Sequence, residues 1–146
     1  MKKLTLLFAC AMFAMQSYSQ SFIIRLGIKP ETIIEDARKK NYDVELLREN
    51  SSNFPAIGIT FPERVEMYVL KSGTCVKQVI VTSDECEAGK LLLNMYSFLM
   101  RQSFTHVFYG MWNGKLYGEP VTVTYIPNFL DENGLHTFSY LFTLKY

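Results

Sequence analysis

The sequence predicts an α+β fold: one domain in which a mostly antiparallel sheet of about six to eight strands packs on one long core helix, with a shorter surface helix beside it. Three observations predict it. The stretch Thr82 to Ser103 carries a continuous apolar arc at helical period, two sets of short runs alternate apolar and polar residues at strand period, and each set follows a helix.

The core helix is expected over about residues 83–103. Thr82 stands where a capping hydroxyl is wanted and Glu85 follows at capping-box spacing. At about 100° per residue, Phe98, Leu91, Met95, Ala88, Leu99, Leu92, Tyr96, Met100 and Leu93 succeed one another around one arc. Cys86, Ser97, Lys90, Arg101, Asn94 and Glu87 fill the rest. The arc spans roughly 220°, about twice what a helix lying on one sheet needs. Its far flank, through Tyr96, Met100 and Leu93, therefore calls for a second cover, either another element or another chain.

Ahead of the domain, residues 1–19 read as a cleaved secretory signal. Lys2 and Lys3 precede a short apolar core from Leu4 to Met15, and Ser17-Tyr18-Ser19 before Gln20 is a small-x-small cleavage site. The pattern resembles bacterial export signals whose mature chain begins with Gln. Leu7-Phe8-Ala9-Cys10 is a poor lipobox, because Phe8 is bulky and the apolar run continues past Cys10, so a lipoprotein is not expected. Cleavage leaves 127 of 146 residues for a single domain, 20–146. Without Lys2 and Lys3, thirteen basic residues face fourteen acidic ones, a net charge of −1. A nearly neutral surface gives no electrostatic reason to expect nucleic acid or an anionic membrane as partner. After signal removal no apolar run approaches the roughly 20 residues of a membrane span, so no insertion is expected.

Along the domain, Ser21 to Leu26 is β-prone and reads as an opening strand. Pro30 then suits a first helical turn, and a surface helix over about 30–40 follows, with Ile33, Ile34 and Ala37 in a narrow stripe and Asn41 as its stop. Tyr42 to Leu47 alternates as a strand or forms a helical turn, and Glu49 to Asn53 is a loop. Ile57, Ile59 and Phe61, then Val65 to Lys71, then Cys75 to Thr82 read as an antiparallel meander, with a turn at Ser72-Gly73. After the core helix, Phe104 to Trp112 is expected as a strand ending at Asn113-Gly114, the strongest short hairpin signal in the chain. The next strand carries Pro120, which cannot donate to a ladder. A loop from Pro127 to Gly134 leads to a last strand with Phe138, Tyr140, Phe142, Leu144 and Tyr146 on one face. Helix followed by meander thus occurs twice, without residue-level similarity between the halves. This order resembles cystatin-type and β-lactamase-inhibitor-type folds, a likeness of element order that implies no function.

The chemistry is mostly absence. The sequence holds no P-loop, GxGxxG, HExxH, CxxC or GxSxG pattern, and no cofactor or metal set is expected. His106 and His136 read as packed or edge residues. Cys75 and Cys86 are expected as unpaired thiols, since an intervening strand holds them roughly 20 Å apart, far beyond disulfide reach. A Cys-His nucleophile pair with His106 can be written down, but no neighbour activates either thiol beyond the place of Cys86 in the first helical turn. Glu31, Glu35 and Asp36 read as a solvated helix face, and Asp131 and Glu132 as a polar loop. Trp112 and Tyr117, flanking the expected Asn113-Gly114 turn, are candidates to stack on a glycan or anchor a protein. With Leu93 and Met100 they form the candidate binding set. The functional expectation is an exported, non-catalytic binding or assembly module of a Gram-negative bacterium, periplasmic or extracellular, most simply a twofold homodimer. The alternative is a small secreted enzyme or inhibitor with its site in a concave sheet face.

Overall fold

In the computed structural model, which describes residues 23–146, α1 runs from Pro30–Lys39 with Pro30 at its start. Asn41 ends it in the left-handed region at φ 58°, letting the Tyr42 amide reach back to the Ala37 carbonyl at 3.0 Å. The ambiguous stretch after it is a strand, β1 (Asp43–Arg48). The meander follows as β2 (Pro55–Thr60), β3 (Val65–Lys71) and β4 (Thr74–Thr82). Ser72 and Gly73 turn β3 into β4 with φ 53° and 78°, a pair of positive values that suits a two-residue hairpin. The signal and lipobox readings lie outside the described residues.

The long helix, α2, runs from Glu85–Arg101. Four strands follow, not three: β5 (Thr105–Phe108), β6 (Met111–Leu116), β7 (Glu119–Ile126) and, after a short 3-10 turn at Asn128–Leu130, β8 (His136–Phe142). Asn113-Gly114 is not the turn. Both residues sit inside β6, paired with Thr122 and Val121, and the chain turns instead at Tyr109-Gly110 and Tyr117-Gly118. The reason is packing: the ring of Phe104 lies where a Gly114 side chain would stand, so this glycine admits a ring rather than making a turn.

All eight strands form one antiparallel sheet in the order β1-β2-β3-β4-β8-β7-β6-β5. Each half is a helix followed by a four-stranded meander, and the halves join where β4 pairs with β8. Over its described residues the opening segment is not a strand. Its main chain meets the β4 backbone at Gly27 and Ile28, which bond Cys75 at 2.8 and 2.9 Å, but Ile23 to Leu26 has no ladder partner. The buried side chain of Gln78 substitutes for one: its Oε1 accepts from the Arg25 amide at 2.7 Å and its Nε2 donates to the Ile23 carbonyl at 3.0 Å.

Both helices lie on one face of the sheet. Ile33 and Ala37 of α1, and Leu91, Met95, Phe98 and Leu99 of α2, share one core cluster with alternate residues of the inner strands. The alternation of the last strand stops at Phe142: Phe138, Tyr140 and Phe142 are buried, but Leu144 is 77% exposed in a turn. Tyr146 folds back instead. Its hydroxyl donates to Glu49 at 2.6 Å, and the Lys77 ammonium donates to the other Glu49 oxygen at 2.6 Å. Burial alone would raise the Glu49 carboxyl, but hydrogen bonds from Lys77, Ser52 and Tyr146 outweigh it and hold the group below its ordinary range.

Candidate interaction surface

The cap of α2 sits two residues later than the Thr82 capping box expects. Thr82 ends β4, and its hydroxyl donates to the Glu63 carbonyl at 2.6 Å and accepts from the Asp84 amide at 3.1 Å. Asp84 caps the helix, its carboxylate accepting from the Glu87 amide at 2.7 Å. At the other end Phe104 N–H returns to the Leu99 carbonyl, which seats the Phe104 ring 5.1 Å from Phe98 and over Gly114.

Between these ends the helix buries one side and leaves its flank open. Ala88, Leu91, Met95, Phe98 and Leu99 are buried as the arc predicts, whereas Leu93 is 58%, Tyr96 48% and Met100 80% exposed. α1 does not cover the flank, because its buried stripe packs over β1 and β2 at the far side of the sheet. On the near side Tyr96 meets Trp112 edge-on with ring centroids 5.8 Å apart, and Trp112 in turn lies 5.5 Å from His106, its partner across the β5–β6 ladder. Val107, Phe108 and Tyr109 follow on the exposed edge hairpin. Leu93, Met100 and Trp112 thus belong to one apolar side of the molecule.

Tyr117 does not join them. It occupies the β6–β7 turn at φ 53°, exposed, at the end of β6 opposite to Trp112. The sequence placed the two across one hairpin tip; with Asn113-Gly114 inside the strand, that tip does not exist. Trp112 is a half-buried residue near the start of β6 that packs against the core.

Two polar clusters escaped the sequence reading. In the first, Glu85, freed from capping, accepts from His136 Nε2 at 3.0 Å and from Asn128 at 3.2 Å, bonds that hold its carboxyl below the ordinary range. His136 is buried, and an imidazole donating to Glu85 through Nε2 offers Nδ1 to the Tyr125 hydroxyl at 2.8 Å. Burial and then the Glu85 charge push the Tyr125 phenol up, so the chain is a brace between the start of α2 and the β7–β8 ladder rather than an activated nucleophile. His136 is a packed residue and His106 an exposed edge one, as the sequence suggests.

In the second, Arg64 sits between two buried carboxylates, donating to Glu66 at 3.2 Å and to Glu87 at 2.8 Å, with its guanidinium 4.2 Å over the Phe61 ring. Glu87, placed by its angle on the polar side of the helix, is buried for this reason. Beside the cluster lies a cavity of about 260 Å³ walled by Arg25, Lys40, Tyr42, Phe61, Arg64 and Tyr68. It is smaller than most ligand pockets, and both arginines are turned onto protein carboxylates, Arg25 onto Asp36 at 2.8 Å.

The thiols are unpaired: Cys75 is buried and its pKa is pushed up to about 12 by desolvation, while Cys86 is exposed on the first turn of α2. Among the described residues no group of three or more His, Cys, Asp or Glu is placed to hold a metal ion, and no helix is long and apolar enough to cross a membrane.

Comparison with known proteins finds no match. No family model fits the chain, and no curated protein or solved structure is significantly similar to it.

Proposed function

We propose that the protein is an exported, non-catalytic binding or assembly module that holds a protein partner through the open flank of α2 and the adjoining β5–β6 hairpin. The observation that carries this reading is the exposure of Leu93, Tyr96 and Met100 on a helix whose other side is fully buried. Apolar side chains scattered singly need no explanation, but Leu93, Tyr96 and Met100 share one helix face that Trp112 continues through its contact with Tyr96, the kind of patch that marks an interaction site. A protein fits it better than a glycan, because Trp112 and Tyr117 stand at opposite ends of β6 and offer no shared stacking platform. Export to the periplasm or beyond rests on the signal pattern of residues 1–19.

The double variant Leu93→Glu, Met100→Glu tests the reading. Both side chains project into solvent, so the variant is expected to melt within a few degrees of the wild type, since surface changes usually fall within about 0.5 kcal/mol. It is also expected to lose any partner that the wild-type protein retains from the cell envelope. An unfolded variant would make these residues core, and a stable variant that keeps its partner would put the contact elsewhere.

A further inference from the structure

The open flank of α2 has a spacing of its own. Cys86, Gly89, Leu93, Tyr96 and Met100 follow one another at three, four, three and four residues, which keeps a seam on one side of a helix for a second helix to meet. All five are exposed and none is charged. Gly89 is the odd member. A glycine inside a helix weakens it relative to alanine, and a Cβ placed on Gly89 would meet nothing within 4 Å, so the packing of the chain itself gives no reason for it.

We propose that a second copy of the chain occupies this seam, its α2 antiparallel to the first about a twofold axis beside the turn from Leu93 to Tyr96. This names the partner for the surface proposed above and rests on that reading. What selects a copy is that the seam is complementary to itself: its first half is small, Cys86 and Gly89, and its second half large, Tyr96 and Met100. Antiparallel pairing lays the large half of each helix over the small half of its mate, with the two Leu93 side chains at the centre. Parallel pairing would instead set Tyr96 on Tyr96 and Met100 on Met100 and leave a gap between the glycines. A glycine at the point where a bulky side chain approaches is a device this fold already uses, since Gly114 admits the ring of Phe104. The absence of charge from the seam also fits a twofold contact, in which a charge near the axis would meet its like. One helix pair lies below the about 1,200 Å² at which stable specific interfaces begin, so the dimer is weak and concentration-dependent.

Covalent trapping of the purified protein with a short bis-maleimide tests the pairing. Cys86 is exposed and Cys75 buried. In the dimer Cys86 of one copy lies beside position 100 of the other, whereas within one helix the two positions are about 21 Å apart at about 1.5 Å per residue. Met100→Cys is therefore expected to be trapped as a dimer. The double variant Cys86→Ser, Met100→Cys keeps the same exposed thiol but has none opposite it, and is expected to stay monomeric. Adding Gly89→Leu to Met100→Cys should cut trapping by roughly tenfold or more with the melting temperature unchanged or higher, because leucine favours a helix and the position is open within the chain. Leu93→Cys in the Cys86→Ser chain, which brings like thiols together at the axis, reads the same contact if Met100→Cys fails to fold. Equal trapping of the double variant, trapping indifferent to Gly89→Leu, or no trapping at any concentration would each overturn the proposal. In the last case, capture of a different protein by a photo-crosslinker at Met100 would remove the second copy and leave the flank of α2 a contact surface.

Discussion

Replacing Arg64 by methionine is expected to destabilise the fold by about 3–5 kcal/mol at neutral pH, the cost typical of stranding a buried charge. Arg64 is the shared cation of Glu66 and Glu87, and both carboxylate side chains are 3% exposed. Methionine keeps much of the volume against Phe61 but supplies no donor. The pH dependence separates charge from packing. Burial raises the Glu66 carboxyl above its ordinary range, while Arg64, Gln78 and Tyr68 pull against that shift. A carboxyl whose folded-state pKa is raised contributes stability fully present below its unfolded value and lost as pH rises through the folded one. Removing Arg64 takes away a lowering influence and deepens that loss. Urea titrations should therefore show a larger deficit at pH 7 than near pH 4; an equal deficit at both would mean that Arg64 acts through its stem alone.

Phe138→Ala is expected to cost a similar amount, about 3–5 kcal/mol, by leaving a cavity that a sheet centre cannot close. Phe138 is fully buried, pairs with Ile80 and Tyr125 on either side, and stacks on the Tyr125 ring with centroids 4.7 Å apart. Leu144→Ala, at a position that sequence alternation puts on the same face, should cost no more than about 0.5 kcal/mol because its side chain is already in water. Chemical denaturation of the pair reads the contrast directly. Equal losses would mean that the last strand continues beyond Phe142.

Those two residues show what the sequence could carry. Period-2 alternation identified β8 and its buried face but not where the ladder ends, because the end is set by the hydrogen bonds of Tyr146 to Glu49 and Ser51, about a hundred residues away. The arc of α2 separated Leu91, Met95 and Phe98 from the surface correctly, since that division depends only on helical geometry and a sheet to lie on. It missed Glu87, whose burial depends on a guanidinium brought from the β2–β3 turn. Asn113-Gly114 failed in the same way: a local turn preference worth little was outweighed by pairing with β7 and by the Phe104 ring.

The exposure of Leu93 and Met100 was legible because the arc was wider than one sheet could cover. Trp112 and Tyr117 do not share a hairpin tip, because the chain turns at Tyr109-Gly110 and Tyr117-Gly118 rather than at Asn113-Gly114. Glu85 with His136 and Tyr125, and Arg64 with its carboxylates, left no trace in spacing; their members lie 11 to 51 residues apart in the first cluster, and only the fold assembles them.

Site-specific photo-crosslinking in the cell that makes the protein distinguishes a contact surface on the flank of α2 from unfinished core. With a benzophenone side chain introduced at Met100, or at Leu93, the account predicts an adduct of one defined partner mass. The same group at Lys39, an exposed position of α1 on the other half of the sheet, should give none. No adduct from either flank position, or the same adduct from all three, would contradict it.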